Sequence, residues 1–243
     1  MSPSQPNGEP VPGPFAYTLR IASLNIWNPG PDKVRRNQEL AARLRERNLD
    51  VVLLQEMEGS PEQLELFKRG SGLSYGLQAK TLAILSRHAL EDADAPFLQR
   101  KPSLLPIRQL FTFREVYFCC ASFQHNGRRH HVSSHHWDNR KAVNRTMASA
   151  AISARVSRLP TSTVALCGGD FNATRKSDEV SRVLEAGLRD SGPADDDECI
   201  DFVFYGGADV QVVRHTRETF PDLTDHPLLL HEFNIRDPRL PVA

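Results

Sequence analysis

The chain has 243 residues, and its thirty Lys plus Arg balance thirty Asp plus Glu, so no global field draws it to nucleic acid or to an anionic membrane. That length suits one domain able to bury a real core, and no apolar run approaches the ~20 residues that a membrane helix needs. The four cysteines, Cys119, Cys120, Cys167 and Cys199, lack C-x-x-C spacing and read as reduced core thiols, which points to a cytoplasmic protein.

The proline-rich stretch MSPSQPNGEPVPGP has no basic start followed by an apolar run. Residues 1–14 are therefore expected to be a disordered tail, neither signal peptide nor membrane anchor, ahead of a domain at 15–236 and a C-terminal tail at 237–243. Leu19 to Ile26 alternates as a strand should and ends at the turn NPGP. Asp32 is placed to cap a helix running to about Asn48, with Val34, Leu40, Ala41 and Leu44 on its buried stripe. Asp50 to Leu54, apolar on both faces, predicts a short buried parallel strand that delivers Gln55 and Glu56 at its carboxyl end.

Further strands are expected at Thr81 to Ser86 and Glu115 to Phe123, the second leading through Asn126-Gly127 into His130 to His136. The Asn-Gly pair predicts a hairpin, because both residues tolerate the positive φ of a type I′ turn. On that strand His130, Val132, Ser134 and His136 share one face, with His131, Ser133 and His135 on the other. His130 and His136 then stand about 20 Å apart at ~3.3 Å per residue, too far to share one zinc ion. The segment from Arg140 to Leu159 reads as a helix with Val143, Met147, Ala150, Ala151 and Ala154 inward. VALCGGDFN is a buried strand emptying into a turn, Ser177 caps a helix that Gly187 stops, CIDFVFYGG is another strand, and LTDHPLLLHEF is a turn followed by a strand. Strands separated by helices, together with hairpins, imply a mixed α/β sandwich.

Polar residues cluster at the strand ends: Asn25, Glu56, His136 with Asp138, Asp170 with Asn172, Asp201, and Asp225 with His226. Singly, each has an ordinary explanation, since Asp and Asn favour turns and a lone His is more often structural. In order, the motifs SLN, LLQE, LAILSR, HWDN, GGDFN, IDF and TDHP resemble the endonuclease/exonuclease/phosphatase (DNase I-like) superfamily, over about Leu19 to Phe233. The resemblance implies a four-layer α/β/β/α sandwich of two mixed β-sheets flanked by helices, with the active site at one end. It also implies divalent-metal-dependent hydrolysis of phosphate esters.

Those residue types suit that chemistry. Carboxylates gathered in one pocket repel unless a cation neutralises them, and oxygen donors without thiolates favour Mg²⁺ or Mn²⁺ over zinc. By the resemblance Asn25 and Glu56 are the principal metal ligands, with Asp225 as a further one. Asp170 is the candidate base for the attacking water, and Asn172 holds that water or a phosphate oxygen. His226 binds phosphate or acts as the base, oriented by Asp201, and the sequence leaves that choice open. His136 contacts phosphate, Asp138 orients His136 or Arg140, and Arg140 is a candidate substrate contact.

The chain departs from the apurinic-site endonuclease branch at Trp27, where that branch has an acid, and at His136, where it has a tyrosine. The run Asp195 to Glu198 is expected near the rim, where it would repel a long polyanion, while Arg87, Arg128, Arg129 and His130 could meet phosphates. The substrate is thus a nucleic-acid phosphodiester, slightly favoured, or a small phosphorylated molecule or lipid headgroup. A catalytically silent binding module is the rival outside enzymes, and the sequence points to no protein partner.

Overall fold

The computed structural model describes residues 15–95, 97–98, 115–116, 118–193 and 195–236. The two expected tails, 1–14 and 237–243, lie outside the described residues. The chain runs β1 Phe15–Asn25, α1 Lys33–Arg45, β2 Val51–Gln55, α2 Pro61–Ser71, β3 Tyr75–Ala79, β4 Leu82–Ser86, β5 Glu91–Asp94, β6 Phe97–Leu98, β7 Glu115–Val116 and β8 Phe118–His125. It continues through β9 Arg128–His136, α3 Ala142–Val156, β10 Val164–Asp170, α4 Asp178–Glu185, β11 Arg189–Asp190, β12 Asp201–Gly206, β13 Val210–Glu218 and β14 Leu228–Arg236.

Two six-stranded mixed sheets result, in the orders β13-β14-β1-β2-β4-β3 and β11-β12-β10-β9-β8-β5. Alternation along each strand divides the apolar residues into three layers. Leu19 and Ile21 of β1 and Val51 and Leu53 of β2 meet Ala121, Phe123, Val132, Leu166 and Val203 of the second sheet between the sheets. The other faces of β1 and β2, with Ala22, Leu24, Val52 and Leu54, bury Leu40, Ala41 and Leu44 of α1 and Phe67 of α2. On the far side Ala148 and Ile152 of α3 and Val180 and Val183 of α4 cover Cys120, Cys167, Phe202 and Phe204. The expected four-layer sandwich is thereby formed, and no helix among the described residues is long and apolar enough to cross a membrane.

Three helix details differ from expectation. Asp32 occupies the N-cap of α1 in a left-handed conformation but its side chain makes no cap bond; its carboxylate pairs with Arg35 at 2.7 Å instead. Val34 is 67% exposed and Val143 64% exposed. In α3 the buried face is Asn144, Ala148, Ser149 and Ile152, while Ala150 and Ala154 are exposed. Alanines contribute little burial, so a stripe built on them does not fix a helix's rotation; Ile152 and the bond from Asn144 Nδ2 to Asp138 Oδ2 at 2.5 Å do.

The hairpin reading holds, with positive φ at Asn126 and Gly127. His130 stacks on Phe123 at 4.7 Å and meets the Tyr17 hydroxyl at 2.9 Å, whereas His135 lies on the opposite face between Phe118 and Phe171 at 5.0 and 5.2 Å. The four histidines of this strand therefore form no shared metal site.

A candidate active site where two sheets end

The parallel pairs at the centre of the sheets finish together. Asn25 closes β1 beside Gln55, Asp170 closes β10 beside His136, and Asp201 opens β12 across from Asp170. The antiparallel β14 begins two residues after His226, so its leading turn arrives at the same end. Close approach here requires Gly169, where a Cβ would come within 2.0 Å of the His135 carbonyl oxygen.

Side chains from three segments converge on one atom of a fourth. Asp170 Oδ2 is 3.2 Å from Asn25 Nδ2, 3.6 Å from His136 Nε2 and 3.7 Å from His226 Nε2. The same Asn25 amide donates to Glu56 Oε1 at 3.2 Å, and His136 Nε2 lies 3.9 Å from that oxygen. The other nitrogen of His226, Nδ1, meets both Asp201 oxygens at 3.1 and 3.0 Å. Asn172 donates its backbone N–H to Asp170 Oδ1 and its amide to the Trp137 carbonyl, each at 2.9 Å.

Of the expected site residues, Asn25, Glu56, His136, Asp170, Asn172, Asp201 and His226 are thus brought together. Asp225, beside His226, is exposed and makes no hydrogen bond among the described residues, though its charge helps hold His226 protonated. Arg140 is exposed in the turn before α3. Asp138 accepts from the backbone N–H groups of Arg140 and Lys141 at 2.8 and 3.0 Å, so it stabilises the start of α3 rather than orienting His136.

The electrostatics follow from burial. Asp170 is 2% exposed, and desolvation, then the neighbouring Asp201, push its pKa above the usual carboxylate range against the pull of His136 and His226. Burial lowers that of His226, but its bond to Asp201 and the charges of Asp201, Asp170 and Asp225 outweigh this and raise it to about 9. Three acids, two amides and two imidazoles, with no thiolate, form a donor set for a hard divalent cation. The donor atoms of Asp170, Asp201 and His226 all lie within 4.8 Å of one another. His226 and Asp201 already satisfy each other in that group, so Glu56, whose side chain is partly exposed, is the more open oxygen donor, while the buried Asn25 already accepts the Trp27 N–H at its Oδ1.

Some expected phosphate contacts are overturned. Arg128 is buried and donates to the carbonyls of Ser162, Ala208 and Arg236, Arg129 pairs with Asp92, and Arg87 binds Asn48, Leu49 and Asp50. Arg128 and Arg129 begin the strand that reaches the site only at His136, about 25 Å further on at ~3.3 Å per residue. At the rim, Asp196 pairs with Arg217 at 2.6 Å and Asp197 with Lys176, so the acidic run is partly neutralised.

One residue escaped the sequence reading. Arg36 is 1% exposed and donates to five carbonyls: Pro31 at 2.6 Å, Ile26 at 3.1 Å, Leu223 at 2.5 Å, Trp27 at 2.9 Å and Gly30 at 3.1 Å. It joins the turn after Asn25 to the turn before His226, and Thr224 adds a bond from its hydroxyl to the Asn25 carbonyl at 2.7 Å. The signal was its place on the stripe Arg36, Leu40, Leu44. Arg36→Lys is expected to cost on the order of 3 kcal/mol, since a point charge cannot replace a planar fork. Chemical denaturation and kcat should fall together; unchanged turnover at lowered stability would show the two loops to be positioned without it.

Residues 22–226 match the Endonuclease/Exonuclease/phosphatase family. The chain belongs to that family. Its members are phosphoesterase hydrolases that generally depend on a divalent metal. An endonuclease/exonuclease/phosphatase of Bacteroides vulgatus superposes with a TM-score of 0.73 at 18% identity, covering 90% of this chain and 99% of that one. D. rerio TDP2 complexed with a single-strand DNA product gives 0.70 at 17%, covering 89% and 99%. Sphingomyelinase C of Streptomyces griseocarneus gives 0.65 at 15%, covering 89% and 99%. At these identities the likeness to the solved structures is one of fold. No curated protein matches the chain in sequence.

Proposed function

We propose that the protein is a Mg²⁺- or Mn²⁺-dependent phosphoesterase in which water attacks phosphorus in line with the leaving oxygen. The observation that carries this reading is the convergence of Asn25, His136 and His226 on Asp170 Oδ2 at 3.2 to 3.7 Å. Glu56 and Asn25 would hold the metal, with Asp225 as a further ligand, and the ion when bound would offset charge on the phosphate and leaving oxygens.

Asp170 takes the proton of the attacking water. Its raised pKa supports this role, because an acceptor titrating nearer neutrality transfers protons with less penalty. Asn172 holds the water or a phosphate oxygen with the part of its amide that Trp137 leaves free. His226, kept cationic by Asp201, binds a phosphate oxygen and opposes the charge that develops there. A group already protonated is a poor base, which favours Asp170 over His226 for proton removal. His136 contacts the phosphate from the β9 side, and Arg140 extends the substrate contact outward.

A nucleic-acid phosphodiester is the first substrate class, and a small phosphorylated molecule or lipid headgroup the second. TDP2 was solved with a DNA product and sphingomyelinase C bears its substrate in its name, so both stay in the test. Metal-stripped protein should be inert toward plasmid DNA, single-stranded DNA, RNA, an aryl phosphodiester and lipid phosphates, and Mg²⁺ or Mn²⁺ should restore turnover of at least one. Glu56→Gln should weaken Mn²⁺ binding by at least ~10-fold in a titration read by electron paramagnetic resonance. Inactivity throughout the panel would make the chain a binding module.

A further inference from the structure

Trp27 stands two residues beyond Asn25 in a conformation that a bulky side chain rarely adopts, with φ at +52°. Left-handed backbone at a non-glycine residue is costly and survives only where its surroundings enforce it. Here they do: the Trp27 N–H donates to Asn25 Oδ1 at 3.0 Å, its carbonyl accepts from Arg36, and the Arg36 guanidinium lies 5.1 Å from the ring centroid. Gly30 closes the same side, since a Cβ there would sit 2.6 Å from the indole.

The indole is nonetheless half-buried and joins none of the three apolar clusters among the described residues. The ring is held from one side by Arg36 and Gly30 and packs into no apolar core, which leaves part of its surface to solvent.

Resting on the phosphoesterase reading, we propose that Trp27 is a specificity-determining residue whose open surface stacks on an aromatic group of the substrate, a nucleobase or aryl ring next to the scissile phosphate. The guanidinium already engages the ring's electron density, so a second cation such as a quaternary ammonium gains less there than a neutral aromatic ring does.

Two esters with the same leaving group test this: thymidine 5′-(4-nitrophenyl) phosphate and methyl 4-nitrophenyl phosphate. Trp27→Ala is expected to lower kcat/KM for the thymidine ester about 5- to 150-fold, the range for losing one stacked base, and to change the methyl ester by less than about 3-fold. Trp27→Phe should retain most of the discrimination. Independently of turnover, thymidine 5′-monophosphate should quench the emission of the unsubstituted protein and not of Trp27→Phe, because the other tryptophan, Trp137, is 1% exposed. Equal losses on both esters, or quenching that persists in Trp27→Phe, overturn the proposal. Should neither ester be hydrolysed with either metal, the phosphoesterase reading is decided by the wider substrate panel, and the quenching still decides whether Trp27 meets a base.

Discussion

Asp170→Asn is expected to lower kcat by ~10²- to 10⁴-fold, the usual contribution of a general base. The substitution keeps the size of the side chain and an oxygen that can accept from the Asn172 N–H, so the fold should persist. What disappears is the atom on which Asn25, His136 and His226 converge at 3.2, 3.6 and 3.7 Å. His226→Ala should cost at least two orders of magnitude as well, through lost phosphate binding and charge stabilisation. The two variants differ in their pH profiles. If Asp170 is the base, His226→Ala keeps the rise of rate with pH that reports its deprotonation, and Asp170→Asn abolishes it. Near-normal turnover in either variant would remove that residue from the chemistry.

The second large effect is loss of the fold in mild acid. Burial, reinforced by nearby positive groups or other histidines, lowers the pKa of His130 to about 3, His131 to about 4, His135 to about 3 and His231 to about 3. Their surroundings explain it: His135 lies between two phenylalanine rings, and His231 stacks on Phe233 and bonds the Ser191 hydroxyl at 2.9 Å. In the unfolded chain each titrates near 6.5. Between pH 6.5 and these lowered values the unfolded state binds more protons than the native state, so stability increases with pH across that window. Their contribution is complete above about pH 6.5 and is lost as pH falls toward 4.

Each histidine contributes up to ~1.4 kcal/mol per pH unit within the window, so even two of the four remove about 5 kcal/mol over two units. That is comparable to the whole stability of many domains, about 5–15 kcal/mol. Urea melts at pH 7.5, 6.0 and 5.0 should show a steeply falling midpoint with little change in slope. A midpoint flat from pH 7.5 to 5.0 would mean that these rings accept protons inside the fold without penalty.

Much of the architecture was legible because its signals are local. The continuous apolar run VVLL, the Asn126-Gly127 turn and the glycine pair before Asp170 each constrain backbone geometry without help from distant residues. The helix Pro61–Ser71 and the strand Val210–Glu218 escaped the sequence reading. The helix is marked by Ser60, whose hydroxyl accepts from Gln63 N–H at 3.1 Å, and by Pro61. The strand shows little alternation in burial because it is an edge strand with much of its length exposed. Site residues were legible as polar positions closing apolar strands, since α/β sheets collect such positions at one end. The choice between Asp170 and His226 as base was not, because it depends on which atoms meet.

The sequence by itself determined the strand ends, the hairpin and most of the acids, amides and imidazoles that gather in the candidate site. Only the tertiary structure decided that Asp138 serves a helix, that Arg128 and Arg36 are buried against carbonyls, and that Asn25, His136 and His226 meet on one oxygen of Asp170. The reason is one of range: pattern reports which face a residue takes within its own element. Hydrogen-bond partners and desolvation arise between segments as far apart as Asn25 and Thr224, and exist only once the two sheets have closed on each other.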